Sequence, residues 1–310
     1  MSKVKILEST PCISESAQTK VVTMGNIIEV TAFQRLPHSP PIRKVNKDYY
    51  VDLRSGEIGK YKHIENRSGS TDSIRKTMRN IRNLINTNIT DPLHWRWVTL
   101  TYRENMTDTK LLYKDFERFW KRFCYWCKTS GFSKPEYISV VEPQSRGAWH
   151  IHAFFGWSDL APFIPNNKVM EMLWPHGFTK TKSLNDCDNI GAYFSAYLAD
   201  MPLNEVQALP PAEIEQALAY SDILLKQVDD AQQTKKFVKG GRLYLYPSGM
   251  NIVRKSRGIK APEVERMSYE DAQAHIGDAK QTYTRSFQIL DDTGQICNTI
   301  TKAFYNRNRK

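Results

Sequence analysis

Residues 137–157, YISVVEPQSRGAWHIHAFFGW, constrain the fold more than any other stretch of this chain. Tyr137, Ser139 and Val141 alternate with Ile138, Val140 and Glu142 at the period of a β-strand, and Pro143, Gln144, Ser145, Arg146 and Gly147 then supply turn chemistry. A second run, Trp149 to Phe155, follows at once. Its two histidines, His150 and His152, are two residues apart, so in a strand both imidazoles leave from one face. If the turn closes an antiparallel hairpin, Glu142 lies beside them on the neighbouring strand, and a carboxylate with two imidazoles suits one divalent ion with open coordination positions. Histidines satisfied in a core or on a wet face are the plainer alternative, and this stretch alone leaves both readings open.

Charge narrows the classes of partner. The 310 residues carry 44 Lys and Arg against 33 Asp and Glu, a net +11, which favours polyanions such as nucleic acid or an anionic membrane surface. Membrane attachment is the weaker reading, because no apolar run approaches the roughly 20 residues of a bilayer span and residues 1–10 lack the apolar core of a signal peptide. A cytoplasmic protein is therefore expected. The five cysteines, Cys12, Cys124, Cys127, Cys187 and Cys297, are scattered and odd in number, which argues against a disulfide framework. Cys124 and Cys127 form a CxxC, but they fall inside a helical pattern and are expected to pack in a core.

Taken in order, residues 1–90 form an N-terminal extension. Short β-like pieces at Val21–Met24 and Ile27–Thr31 precede a Pro-rich region, and a hairpin is expected over Tyr49–Tyr61 around Ser55-Gly56. A helix begins at Asp72, with Ile74, Met78, Ile81 and Ile85 on one face and Arg75, Lys76, Arg79 and Arg82 around it. That basic face is either solvated surface or a phosphate contact. A core domain is expected over residues 91–202. Its strand Trp97–Tyr102 leads to a helix with an apolar stripe of Leu112, Phe116, Phe119, Phe123 and Trp126, then to the hairpin, a helix over Asn167–Trp174 and a strand over Phe178–Lys182. The order β, α, β, β, α, β predicts an α+β fold, an antiparallel β-sheet with helices packed on one face, as in ferredoxin-like folds.

Asn189 to Asp200 reads as a further helix on which Tyr193 and Tyr197, four apart, project one turn from each other. An aromatic stripe packed on the sheet is the simple reading of two tyrosines. Beside a metal site a second reading opens: a phenolate attacks a phosphodiester and conserves the energy of the broken bond as a phosphotyrosine. Residues 203–234 are acidic and expected to hold a helical insertion from Pro211 to about Val228. Residues 235–265 reverse the charge, with Lys239, Arg242, Arg254, Lys255 and Arg257 interleaved with Tyr244 and Tyr246, which suits a DNA strand. The polar tail, residues 266–310, is expected to be partly disordered.

The strand VTLTY, a glutamate eight residues before His-hydrophobic-His and a downstream tyrosine helix resemble the three motifs of HUH endonucleases. The paired tyrosines resemble those of the two-tyrosine rolling-circle replication initiators of small phages, plasmids and integrated elements. The resemblance covers about residues 96–201 and implies a ferredoxin/RRM-like core. It makes Glu142, His150 and His152 ligands of Mg²⁺ or Mn²⁺, and Tyr193 and Tyr197 the nucleophiles. It further implies DNA contacts from Arg146, Lys180, Lys182, Lys239, Arg242, Tyr244, Tyr246, Arg254, Lys255 and Arg257, and single-stranded or hairpin origin DNA as substrate in a bacterial cytoplasm. Host helicase and polymerase are the implied partners, since no GxxxxGK[ST] motif is present. A relaxase or transposase of the same chemistry, and a non-catalytic DNA-binding regulator of the same fold, are the rival readings. Many relatives carry a lysine three residues after a tyrosine. Here Ala196 and Asp200 stand at those positions, so the charge must come from elsewhere, with Lys180, Lys182 and Arg146 as candidates.

Overall fold

A computed structural model describes residues 3–35, 42–61, 71–144, 147–184, 188–219, 226–230, 233–247, 250–291 and 293–309. The chain opens with strands β1 (Lys3–Ile6), β2 (Gln18–Met24) and β3 (Ile27–Phe33), and continues with β4 (Ile42–Lys44), β5 (Tyr49–Asp52) and β6 (Ile58–Lys60). Next come α1 (Thr71–Asn88), β7 (Trp95–Leu100), α2 (Thr109–Thr129), β8 (Glu136–Pro143), β9 (Trp149–Gly156), α3 (Glu171–Leu173), β10 (Thr179–Lys182) and α4 (Ile190–Ala199). There follow β11 (Met201–Pro202), α5 (Leu203–Gln207), α6 (Pro211–Ala219), β12 (Lys226–Asp230), β13 (Gln233–Val238) and β14 (Val253–Lys255). The last elements are β15 (Glu263–Ser268), α7 (Tyr269–Ile276), β16 (Lys280–Leu290) and β17 (Ile296–Asn306).

These elements divide into two units, residues 65–261 and residues 1–64 with 262–310. The first is organised by a five-stranded antiparallel sheet of order β10-β7-β9-β8-β14. Strand alternation gives it two dissimilar faces. Tyr137 and Phe155 project towards α2, where Phe116, Phe119, Trp120 and Phe123 close an aromatic core, and the stacked Trp120 and Phe155 rings lie 5.7 Å apart. Burying each such ring contributes roughly 1.5–3 kcal/mol, which explains why the helix stripe repeats so strictly at 3–4 residues. Cys127 belongs to this core, and burial pushes its thiol up to about 12. Trp97, His152 and Phe154 project from the opposite face towards α4. Helices therefore cover both faces of the sheet rather than the one expected, because the strands of the central hairpin are apolar on both sides.

The second unit is built on a six-stranded antiparallel sheet of order β1-β16-β17-β3-β2-β15, with a separate three-stranded sheet β4-β5-β6. The tail expected to lack order supplies its helix and its two longest strands. Composition misses this because β16 and β17 are largely polar and pair with β1 and β3, at the far end of the sequence. Likewise the helical run expected to reach Val228 ends at Ala219, and residues 226–230 form β12 against β13.

Candidate functional site

Register fixes the centre of the site. Glu142 faces His150 and Val140 faces His152 across the hairpin, while Thr99 of β7 faces His152 from the other side. Glu142, His150 and His152 therefore share one sheet face with Trp97 and Thr99. Glu142 and His152 are each 1 % exposed, with His152 Nε2 and Glu142 Oε2 2.6 Å apart, and His150 is half-buried. The Trp97 indole donates to His152 Nδ1 at 3.2 Å, and the Thr99 hydroxyl lies 3.2 Å from the same nitrogen. An indole only donates, so Nδ1 accepts and the imidazole proton sits on Nε2, directed at Glu142.

The other carboxylate oxygen of Glu142 accepts from Arg242, whose second guanidinium nitrogen reaches Glu205 at 3.1 Å. Three backbone features deliver this arginine from a hundred residues away. Gly240 adopts φ +74°, its N–H donates to the Asp200 carboxylate at 3.0 Å, and Arg242 N–H donates to Ala199 O at 3.0 Å. A glycine takes that conformation without penalty, and the turn is thereby fixed to the end of α4. Asp200 stands where many relatives place a lysine. Its carboxylate instead holds the turn that brings a guanidinium to the site.

The tyrosine helix is seated at its N-terminus and along its inner face. Asn189 caps α4 by accepting from Ala192 N–H, and Asn86 of α1 donates to Asn189 and accepts from Gly191 N–H, each at 2.9 Å. A Cβ at Gly191 would lie 2.4 Å from Arg82 O, so only glycine permits this approach of α1 and α4. Phe194 is fully buried between Trp97 and Phe154, while Tyr246, also fully buried, directs its hydroxyl at Leu198 O. Tyr193 and Tyr197 remain 52 % and 46 % exposed. Both touch the Trp97 ring edge-on, and Tyr197 also lies over His152 at 5.5 Å between ring centroids. Partial burial and then the Glu142 charge push the Tyr197 phenol up to about 12, against the opposing pull of Arg242.

Of the residues expected to contact DNA, Lys180 and Lys182 face Thr99 and Trp97 in the ladder and share their sheet face, both exposed, with Lys182 Nζ 5.2 Å from the Trp97 ring centroid. Lys239 and Arg257 are exposed elsewhere, and Arg146 lies outside the described residues. Lys255 donates to Ile259 O, Arg254 stacks on Tyr113 and pairs with Glu117, and Tyr244 donates to Glu213. Burial withdraws Tyr246 from any stacking role, since no face of its ring is open to a base. Thr99, Trp97, Phe194, Glu205, Asn86 and Asn189 are parts of the site that the motifs do not name. The parity of β7 is the one signal that places Thr99 and Trp97 beside the histidines.

A metal ion on His152 needs a bare Nε2. Here that nitrogen is directed at Glu142, and Glu142 is further held by Arg242. Among the described residues no three His, Cys, Asp or Glu side chains are grouped to hold an ion. As arranged, the trio does not form a ready metal cage.

The fold and site together define an α+β domain that presents an acid, an imidazole and a guanidinium to two exposed phenols on one helix. Residues 95–202 match a family model of replication-associated proteins, the ORF2 type, so the chain carries a replication-associated protein domain of that family. No curated protein and no solved structure matches it. No helix among the described residues is long and apolar enough to cross a membrane.

Proposed function

We propose that this chain initiates rolling-circle replication as an HUH-type endonuclease that nicks and rejoins single-stranded or hairpin origin DNA. The observation that carries the reading is Tyr197, half-exposed and set over the His152, Glu142 and Arg242 cluster on a helix whose position is fixed independently. Tyr197 Oη bonds to the scissile phosphorus and loses its proton, and the P–O3′ bond breaks. The 3′-oxygen takes up a proton and leaves as a free hydroxyl that a polymerase extends, while the 5′-phosphate stays on the tyrosine. Reversal with a new 3′-hydroxyl rejoins the strand. Arg242 is the cation whose charge the Tyr197 phenol feels, and Lys180 and Lys182 lie along the same sheet face for the phosphates on either side.

Mg²⁺ or Mn²⁺ on Glu142, His150 and His152 would polarise the phosphate when bound. To bind, it must take Glu142 from Arg242 and turn out the Nε2 proton, so no step above is routed through it. Host helicase and polymerase and a bacterial cytoplasm belong to the same proposal. Denaturing electrophoresis of the protein incubated with a labelled origin-like strand and Mn²⁺ tests it. Covalent adduct is expected from the wild type and from Tyr193→Phe, but not from Tyr197→Phe. Adduct from the double variant would refute the tyrosine helix as the source of the nucleophile. Binding without adduct from the wild type would favour a non-catalytic regulator.

A further inference from the structure

One face of the six-stranded sheet of the second unit is covered by α7. Val21, Ile28, Val30, Met267, Ala303 and Tyr305 share that face by parity and pack against Ala272 and Ile276 of the helix. The opposite face carries a row that crosses five strands at one register level. In order it runs Arg285, Lys302, Thr31, Lys20 and Arg266, on β16, β17, β3, β2 and β15. Four cations thus line up over about 19 Å at the usual interstrand spacing of ~4.8 Å. The adjacent row begins with Tyr283 and Phe304, rings 6.0 Å apart, with Tyr283 47 % exposed.

Charge distinguishes the two faces sharply. On the five strands of that row, the only carboxylate projecting on the cationic side among the described residues is Glu29, which is buried and pairs with Lys302 at 2.5 Å. The carboxylates of β15, Glu263 and Glu265, project on the side of α7. Arg266, Lys20 and Arg285 are exposed, and none has an ion-pair partner among the described residues. Like charges at neighbouring register positions repel one another, so a polyanion laid across them is the complementary ligand.

We propose that this cationic row binds single-stranded DNA, with phosphates on Arg285, Lys20 and Arg266 and a base stacked on Tyr283. A row of cations tracks a backbone and an exposed ring takes any base, so the surface holds a strand without reading its sequence. It would anchor DNA outside the tyrosine site, and it does not depend on the nicking reaction.

Fluorescence anisotropy of a labelled mixed-sequence single strand, titrated with the full chain in EDTA, tests the proposal. Lys20→Gln, Arg266→Gln and Arg285→Gln together are expected to weaken binding roughly tenfold and to flatten the log K against log salt slope by about 2, at ~0.7 per lost phosphate contact. Tyr283→Ala should weaken binding while leaving the salt slope unchanged. Glu263→Gln with Glu265→Gln, on the covered side, is the control and should not weaken it. Unchanged affinity and slope in the triple variant overturn the proposal, as does a duplex of the same sequence competing as well as the strand. Because Tyr197→Phe should bind normally here, loss of adduct formation and loss of this surface are read separately.

Discussion

Removing Arg242 tests the central arrangement most directly. Its side chain is 14 % exposed and that of Glu142 2 %, so the pair is screened little by solvent. At an effective dielectric of ~20 and ~4 Å between charge centres the attraction is about 4 kcal/mol, and truncating one partner of a buried pair costs roughly 3–5 kcal/mol. One escape limits the loss. Glu142 can take a proton, which from an ordinary carboxylate costs about 3.7 kcal/mol at pH 7. Arg242→Ala should therefore lower the stability of this unit by about 3–4 kcal/mol, and Arg242→Lys by distinctly less. Adding Glu142→Gln to Arg242→Ala should recover at least half, since no unpaired charge then remains. Urea unfolding followed by tryptophan fluorescence reads this unit alone, because all seven tryptophans fall between Trp95 and Trp174. A loss under about 1 kcal/mol, or a double variant no more stable than Arg242→Ala, would refute the buried ion pair.

Manganese should bind Arg242→Ala at least about tenfold more tightly than wild type, a difference of ~1.4 kcal/mol, because the guanidinium no longer holds Glu142. Isothermal titration measures this, and equal affinities would exclude competition between arginine and ion. Gly191→Ala should force α4 from α1 and abolish adduct formation, and Asn86→Ala should cost about 1–3 kcal/mol by orphaning the cap of α4, both checked by unfolding and adduct assays. Iodoacetamide at pH 8 should label exposed Cys12 and Cys297 but leave Cys127 unlabelled until denaturant is added, as peptide mass spectrometry would show.

Period and turn chemistry make the hairpin, α2 and the tyrosine helix legible, because each buries a repeating set of side chains. The shared face of Glu142, His150 and His152 follows from strand parity alone. What no local pattern carries is the partner of a polar group. Arg242 belongs to a basic, aromatic stretch and reads as a phosphate contact. Its placement depends on Asp200 and the positive φ of Gly240, a hydrogen bond across forty residues. The second unit is illegible for a related reason, since β2 and β3 find β15 and β17 only after the other domain has intervened.

The same geometry bears on why one helix carries two tyrosines. Residues four apart on a helix stand about 5–6 Å from each other, so a phosphate within bonding reach of one phenol is beyond reach of the other. Tyr197 alone overlies His152 and feels the Glu142 charge, whereas Tyr193 touches Trp97 one turn nearer the Asn189 cap. The first cleavage is therefore assigned to Tyr197, and Tyr193 can act only after the strand or the helix shifts by about one turn. Tethering α4 to α1 more tightly should then leave single cleavage intact and suppress the second transfer in a two-strand exchange assay. Equal suppression of both would mean that the two phenols share one reaction position, and the assignment of separate roles would fail.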